Sequence, residues 1–249
     1  MPGLLLAILF TLPLLVTVFA GVTSDFITFI TEPSAVAALK LSAVTTLCTL
    51  IITLVLGTPL AYYISTHQFK ARWLVETVVD LPIVLPPAVA GLALLMTFGR
   101  RGALGPFFAQ LGLSLPFTTA AVVIAQVFVS APFFVRAARI GFSSIDAHLA
   151  ECAISEGANA WQLFAQIMLP LARRSLITGI ILTGTRALGE FGATILFAGN
   201  LEGVSQTVPL AIYIGIERNS SSALALAVVL IALSGLLMAG LRRLEGHSP

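Results

Sequence analysis

Six apolar runs, each long enough to cross a bilayer and nearly free of charge, constrain this chain more than anything else in its sequence. They cover residues 3–21, 35–65, 77–98, 117–135, 176–198 and 223–241. A helix needs about 20 apolar residues to cross the hydrocarbon. With no water at that depth, it must satisfy its backbone groups internally. The second run exceeds one crossing and is expected to tilt or project. In the third, "LPIVLPP" places Pro82, Pro86 and Pro87 where proline breaks or kinks a helix. The first run is not read as a signal peptide, because no Lys or Arg precedes it. AVILMFWYC residues make up 58% of the 249, and DEKR only 10%, where a soluble domain carries about 25% charged residues. The expectation is an all-α integral membrane protein of six transmembrane helices. It forms a single domain over residues 1–249, with lipid as the partner its composition requires and no nucleic acid.

The placement of charge predicts orientation. If six spans alternate, Lys70, Arg72, Arg136, Arg139, Arg173, Arg174, Arg242 and Arg243 share one side. Lys40, Arg100, Arg101 and Arg218 share the other, beside Asp25, Glu32, Glu202 and Glu217. Cytoplasmic loops are enriched in Lys and Arg, so both termini and the connection at 143–170 are expected in the cytoplasm. Arg100 and Arg101, on the sparser side, read as headgroup anchors at the end of the third span.

Several chemistries lack their residues. Lys40 and Lys70 follow Leu39 and Phe69, so no G-x-x-x-x-G-K-[ST] phosphate loop can form. His67, His148 and His247 are isolated, and Cys48 and Cys152 suggest neither a disulfide framework nor a zinc site. Ser and Thr in the apolar runs are expected to bond to their own helices' carbonyls. No catalytic residue, metal or cofactor is expected, and an intramembrane enzyme is disfavoured for want of a nucleophile–base pair.

One segment departs from the lipid-facing pattern: "ECAISEGANAWQLFAQIMLP", residues 151–170. Ser143, Ser144 and Asp146 are N-cap candidates for a short helix before it. Ala150, Ala153, Ile154 and Gly157 form a small-residue stripe at helical spacing, with Asp146, Glu151, Ser155 and Glu156 off it. Gly157 can end that helix in the left-handed conformation. Asn159 and Gln162 then form a capping box for a second helix, which Pro170 is expected to end. Two readings are open: a helix lying on the membrane surface, or one that docks on a protein partner. Surface helices favour Lys and Arg with bulky apolar groups; this one is acidic and small, which suits a partner's groove.

The spacing resembles the EAA loop of ABC importer permeases: E-A-A, three residues, Gly, nine residues, I-x-L-P. Glu151, Cys152 and Ala153 take the first places, Gly157 is the glycine, and Ile167, Leu169 and Pro170 close the motif. Cys152 stands where the family usually has alanine. The resemblance implies a type I importer permease fold. It implies that the loop (about 143–170) is a coupling helix seated on a separate ATP-hydrolysing subunit, with Glu151, Glu156 and Gly157 at the contact. The missing phosphate loop is then expected, since this chain would have no ATPase activity of its own.

Span five, "GTRALGEFGATILFAGN" (184–200), and the stretches "DLPIVLPPAVAGLALL" and "QTVPLAIY" resemble molybdate and tungstate permeases, and the related sulfate permeases. The resemblance implies two copies of the chain lining a path, two ATP-binding subunits, an external oxyanion-binding protein and a prokaryotic cell membrane. A sulfate or thiosulfate permease is the nearest alternative; a stand-alone channel lies further off. Candidate pathway residues are Thr185, Arg186, Glu190, Pro86 and Pro87. Arg186 and Glu190 are four apart and share a helix face. Either Arg186 helps an oxyanion pass, or the two neutralise each other. Pairing is the usual way such charges are tolerated and is the favoured reading. Thr185, Gly189, Gly192 and Ala193, and Gly235 with Ala239 on span six, offer small surfaces for close helix packing.

Overall fold

The structure is a computed structural model that describes residues 2–218 and 220–245; His247 lies outside them. Among the described residues the regular structure is helical throughout. The helices run in chain order as α1 (Pro2–Gly21), α2 (Phe26–Thr31), α3 (Pro33–Thr66), α4 (Arg72–Val84), α5 (Pro87–Phe98), α6 (Gly105–Gln110) and α7 (Thr119–Ser143). They continue as α8 (Ala147–Ser155), α9 (Ala160–Gln162), a π-helical turn (Leu163–Met168), α10 (Leu169–Leu188), α11 (Gly192–Phe197), α12 (Val208–Arg218) and α13 (Ser220–Glu245). Five stretches are long and apolar enough to cross a membrane, and α4 with α5 supplies a sixth when counted together.

Three expectations need correction, whereas the third span breaks as its prolines predict, α4 and α5 meeting at 117°. Pro86 and Pro87 supply no N–H, and each forces the residue before it out of the helical region. Leu85 and Pro86 accordingly have ψ of 135° and 136°. Pro82, by contrast, is carried inside α4. The fourth span runs to Ser143, so Arg136 and Arg139 lie on α7 rather than after it. The fifth span is not continuous to Ala198; α10 stops at Leu188 and the chain restarts as α11. Pro170 does not end the second loop helix. The chain passes through the π turn into α10 as one 29-residue rod, 160–188. The Leu169 N–H reaches back five residues to the Phe164 carbonyl. Pro170 directly follows the π turn, so its missing N–H falls where the regular i→i−4 ladder has already given way.

The central helices α3, α7 and α10 pack through small and polar groups, as helices do when lipid removes the hydrophobic drive for association. The ring of Phe134 lies over two glycines: a Cβ on Gly57 would come within 2.9 Å of it and one on Gly179 within 3.0 Å. Thr45, Thr49 and Thr53, four apart on α3, are buried. Thr49 donates to Gln126 Oε1 at 3.1 Å, and Gln126 Nε2 donates to the Ala187 carbonyl at 3.1 Å. The Thr183 hydroxyl donates to the Ser130 carbonyl at 3.3 Å. Thr11, Thr17, Thr66, Thr77 and Thr97 bond within their own helices as expected; Thr49 and Thr183 instead tie helices together. α1 lies apart from this core, nearly all its apolar side chains exposed, with Gly21 set against Leu224 and Val228 of α13.

A Cβ on Gly141 would lie 2.5 Å from Ser175 Cβ, whereas one on Gly235 meets nothing within 4 Å. Gly141→Val is therefore expected to force α7 off α10 at a cost of about 1–3 kcal/mol, the usual range for overpacking. Gly235→Val is expected to leave melting unchanged. Thermal melting of the two purified variants checks this; equal curves would remove the close α7–α10 approach from the account of the core.

Candidate functional site

The 151–170 segment is built from local signals that act in sequence. Asp146 caps α8, accepting from the His148 backbone N–H at 3.0 Å. Ser143 and Ser144, the other candidates, belong to the end of α7. At the far end Gly157 adopts φ +90°. Its N–H donates to the Ile154 carbonyl at 3.0 Å, and the Ala158 N–H donates to the Ala153 carbonyl at 2.9 Å. That pair of bonds is a Schellman closure, which satisfies helix-end carbonyls and needs the left-handed residue. Asn159 and Gln162 then exchange side-chain bonds with each other's backbone N–H, both at 2.9 Å, forming the expected capping box.

The turn folds α8 back toward the π turn and leaves a groove of about 330 Å³ between them. Glu156, Gly157, Gln162 and Ile167 are on its walls. Of the candidate contact residues, Ala153, Glu156, Gly157 and Ile167 thus share one concavity. Glu151 and Cys152 are exposed on α8, Glu151 beside His148 at 3.3 Å. Leu169 and Pro170 belong to the start of α10. Ile154, placed on the small-residue stripe by its spacing, is exposed instead, as are Leu149 and Trp161. Residues 147–170 therefore offer three large apolar groups and two carboxylates outward.

Its inner side is anchored. Phe164 packs on Tyr62 with ring centroids 4.9 Å apart, and Tyr62 meets Phe142 edge-on at 5.5 Å. Met168 and Ala172 are buried in the same cluster as Phe134, Phe142 and Ala61. The segment is thus packed directly on the feet of α3, α7 and α10. At the same end, Glu76 of α4 receives Arg72 at 2.9 Å and Arg139 of α7 at 2.7 Å.

The pathway candidates fall in two groups. Arg186 and Glu190 form an ion pair at 2.7 Å, with the Glu190 side chain 1% exposed and that of Arg186 30%. The second Glu190 oxygen accepts from the Ala193 N–H at 2.7 Å, which fixes the start of α11. Thr185 bonds back to the Ile181 carbonyl. Pro86 and Pro87 sit at the other helix break, and the two breaks abut: a Cβ on Gly192 would lie 2.4 Å from Pro87 Cβ. Gly91 also approaches the Ala193 backbone, at 3.0 Å for a Cβ, so α5 and α11 pair as two half-helices. Among the described residues, no three His, Cys, Asp or Glu side chains come together as metal ligands.

The Gln126 bridge and the Glu76–Arg139 pair escaped sequence reasoning. A lone glutamine in an apolar run signals an obligatory partner, but the identity of that partner needs the fold.

Residues 53–245 match the family model described as "Binding-protein-dependent transport system inner membrane component". The chain is 36% identical over 208 residues to the molybdenum transport system permease protein ModB of Haemophilus influenzae, covering 82% of this chain and 91% of that one. It is 33% identical over 219 residues to the sulfate transport system permease protein CysT of Escherichia coli, covering 88% and 79%. Among solved structures, a bacterial ABC transporter involved in the import of the acidic polysaccharide alginate superposes with a TM-score of 0.76 at 18% identity, covering 98% of this chain and 93% of that one.

Proposed function

This chain belongs to the family of binding-protein-dependent transport system inner membrane components, and from that premise we propose that it is the permease of an ATP-driven importer for molybdate or tungstate. The observation that carries the reading is the 151–170 segment: a chain without a phosphate loop projects an acidic, capped helix–turn–helix whose inner face is locked into its core. Glu151, Cys152, Ala153, Glu156, Gly157, Ile167, Leu169 and Pro170 are its contact set for a separate ATPase. The similarity to ModB supports the substrate, and the lower identity to CysT leaves sulfate as the second reading.

In this reading two copies line the path, two ATP-binding subunits seat the 151–170 segments, and an external binding protein delivers the anion. Both termini and the segment face the cytoplasm, on the side richer in Arg and Lys. ATP binding draws the two segments together and shifts a two-state equilibrium between inward-facing and outward-facing forms. The abutting breaks at Pro86–Pro87 and Gly189–Gly192, with Thr185 and the Arg186–Glu190 pair beside them, form part of the path wall. Arg186, already neutralised, holds that wall rather than carrying the anion.

The test is co-purification with the partner ATPase, then labelled molybdate uptake into liposomes with tungstate and sulfate as competitors. Competition by tungstate, with little from sulfate, is expected. Dominant competition by sulfate makes the chain a sulfate permease, and conduction with no recoverable ATPase makes it a channel.

A further inference from the structure

A second cationic feature lies on α7. Between α4, α7 and α10 is a cavity of about 280 Å³, far above the ~15 Å³ that one water needs. Ile83, Phe133 and Leu182 give it apolar walls, and Arg136, Ser175 and Thr178 are the polar groups on it. Arg136 lies seven residues before the end of α7, its side chain exposed at the open side of this cavity.

The other arginines on α7 and the second half of α10 have partners: Arg139 has Glu76 and Arg186 has Glu190. Arg136 has no hydrogen bond or ion pair among the described residues, and neither do the hydroxyls of Ser175 and Thr178. A neighbouring cavity of about 310 Å³ brings Arg136 near Asp80 and Arg139, again without an ion pair to Asp80. Three arginines (Arg72, Arg136, Arg139) then face two carboxylates (Glu76, Asp80), which leaves one positive charge over. The cavity begins at Ile83, on the last turn before the 117° break, where the span turns aside.

We infer that Arg136, with the hydroxyls of Ser175 and Thr178, is an anion station that takes a hydrated tetrahedral oxyanion on its way to the loop end of the molecule. Guanidinium N–H groups and hydroxyls are the donors such an anion accepts from. The inference rests on the oxyanion reading above.

The test uses the complex reconstituted in liposomes with its ATPase and binding protein, with labelled molybdate as probe. Arg136→Gln is expected to lower the maximal uptake rate about ten-fold, a loss near 1.4 kcal/mol, at an unchanged melting temperature. Arg136→Lys is expected to restore at least half. Equal uptake by wild type and Arg136→Gln overturns the station, and so does a lysine variant as slow as the glutamine one. Should Arg136→Gln melt early, the Ser175→Ala, Thr178→Val pair decides: a several-fold loss supports the station and no loss overturns it. A wild type that imports no tetrahedral oxyanion fails the functional reading instead, before any variant is compared.

Discussion

Glu190→Ala is expected to lower stability by about 3 kcal/mol, the lower end of the 3–5 kcal/mol typical when one member of a buried ion pair is removed. The lower end applies because Arg186 is 30% exposed and can partly rehydrate. Two groups lose their partner at once: the Arg186 guanidinium at 2.7 Å and the Ala193 N–H at 2.7 Å. The second loss matters for the fold, since that N–H lies in the first turn of α11, which holds α5 through Gly91. Glu190→Gln separates the effects, keeping an acceptor for Ala193 while removing the charge. Arg186→Met combined with Glu190→Gln is expected to recover most of the loss, because a neutral pair leaves no uncompensated charge. Melting temperatures of the three purified variants check the order alanine, glutamine, double variant. If Glu190→Ala melts with the wild type, the pair does not hold the α10–α11 break, and the α5–α11 contact carries it alone.

That break also shows where sequence reasoning stops. Six apolar runs are legible because the bilayer requires each to satisfy its own backbone, so composition alone locates them. Interruptions are half legible. Pro86 and Pro87 mark where the third span breaks, but not that the turned half-helix α5 sets Gly91 against Ala193, a residue about a hundred positions away. Arg186 and Glu190 are readable as a pair because they are four apart; that the helix ends between them, at Leu188, is not. Glu76 and Arg139 show the same limit, since nothing local in either sequence names the other. The 151–170 segment is the opposite case. Asp146, Gly157, Asn159 and Gln162 act within a few residues, so its helix–turn–helix follows from caps and a glycine. Only the π turn at Leu163–Met168, where Phe164 and Met168 pack against the core, lies beyond such rules.

Gly157→Pro is expected to reduce ATP-driven uptake at least about ten-fold, a coupling loss of 1.4 kcal/mol or more, while leaving the spans folded. Gly157 holds φ +90°, and proline is fixed near −65°. The substitution also deletes the N–H that closes on Ile154, so the Schellman turn cannot re-form. The damage stays local, because a Cβ at this position meets nothing within 4 Å. Gly157→Ala is the graded companion, adding only the backbone strain of an L residue in the left-handed region, about 1–2 kcal/mol, and it is expected to fall between. Glu156→Lys leaves the turn intact and reverses a charge on the groove wall, so it isolates recognition from geometry. The three variants are compared by labelled uptake and by ATP hydrolysis in the same liposomes. Hydrolysis that continues without uptake in the proline and lysine variants places the ATPase contact at the groove. Normal uptake in both removes the 151–170 segment from the drive train. The small-residue stripe would then be read as a surface-lying helix, testable by its partition onto vesicles.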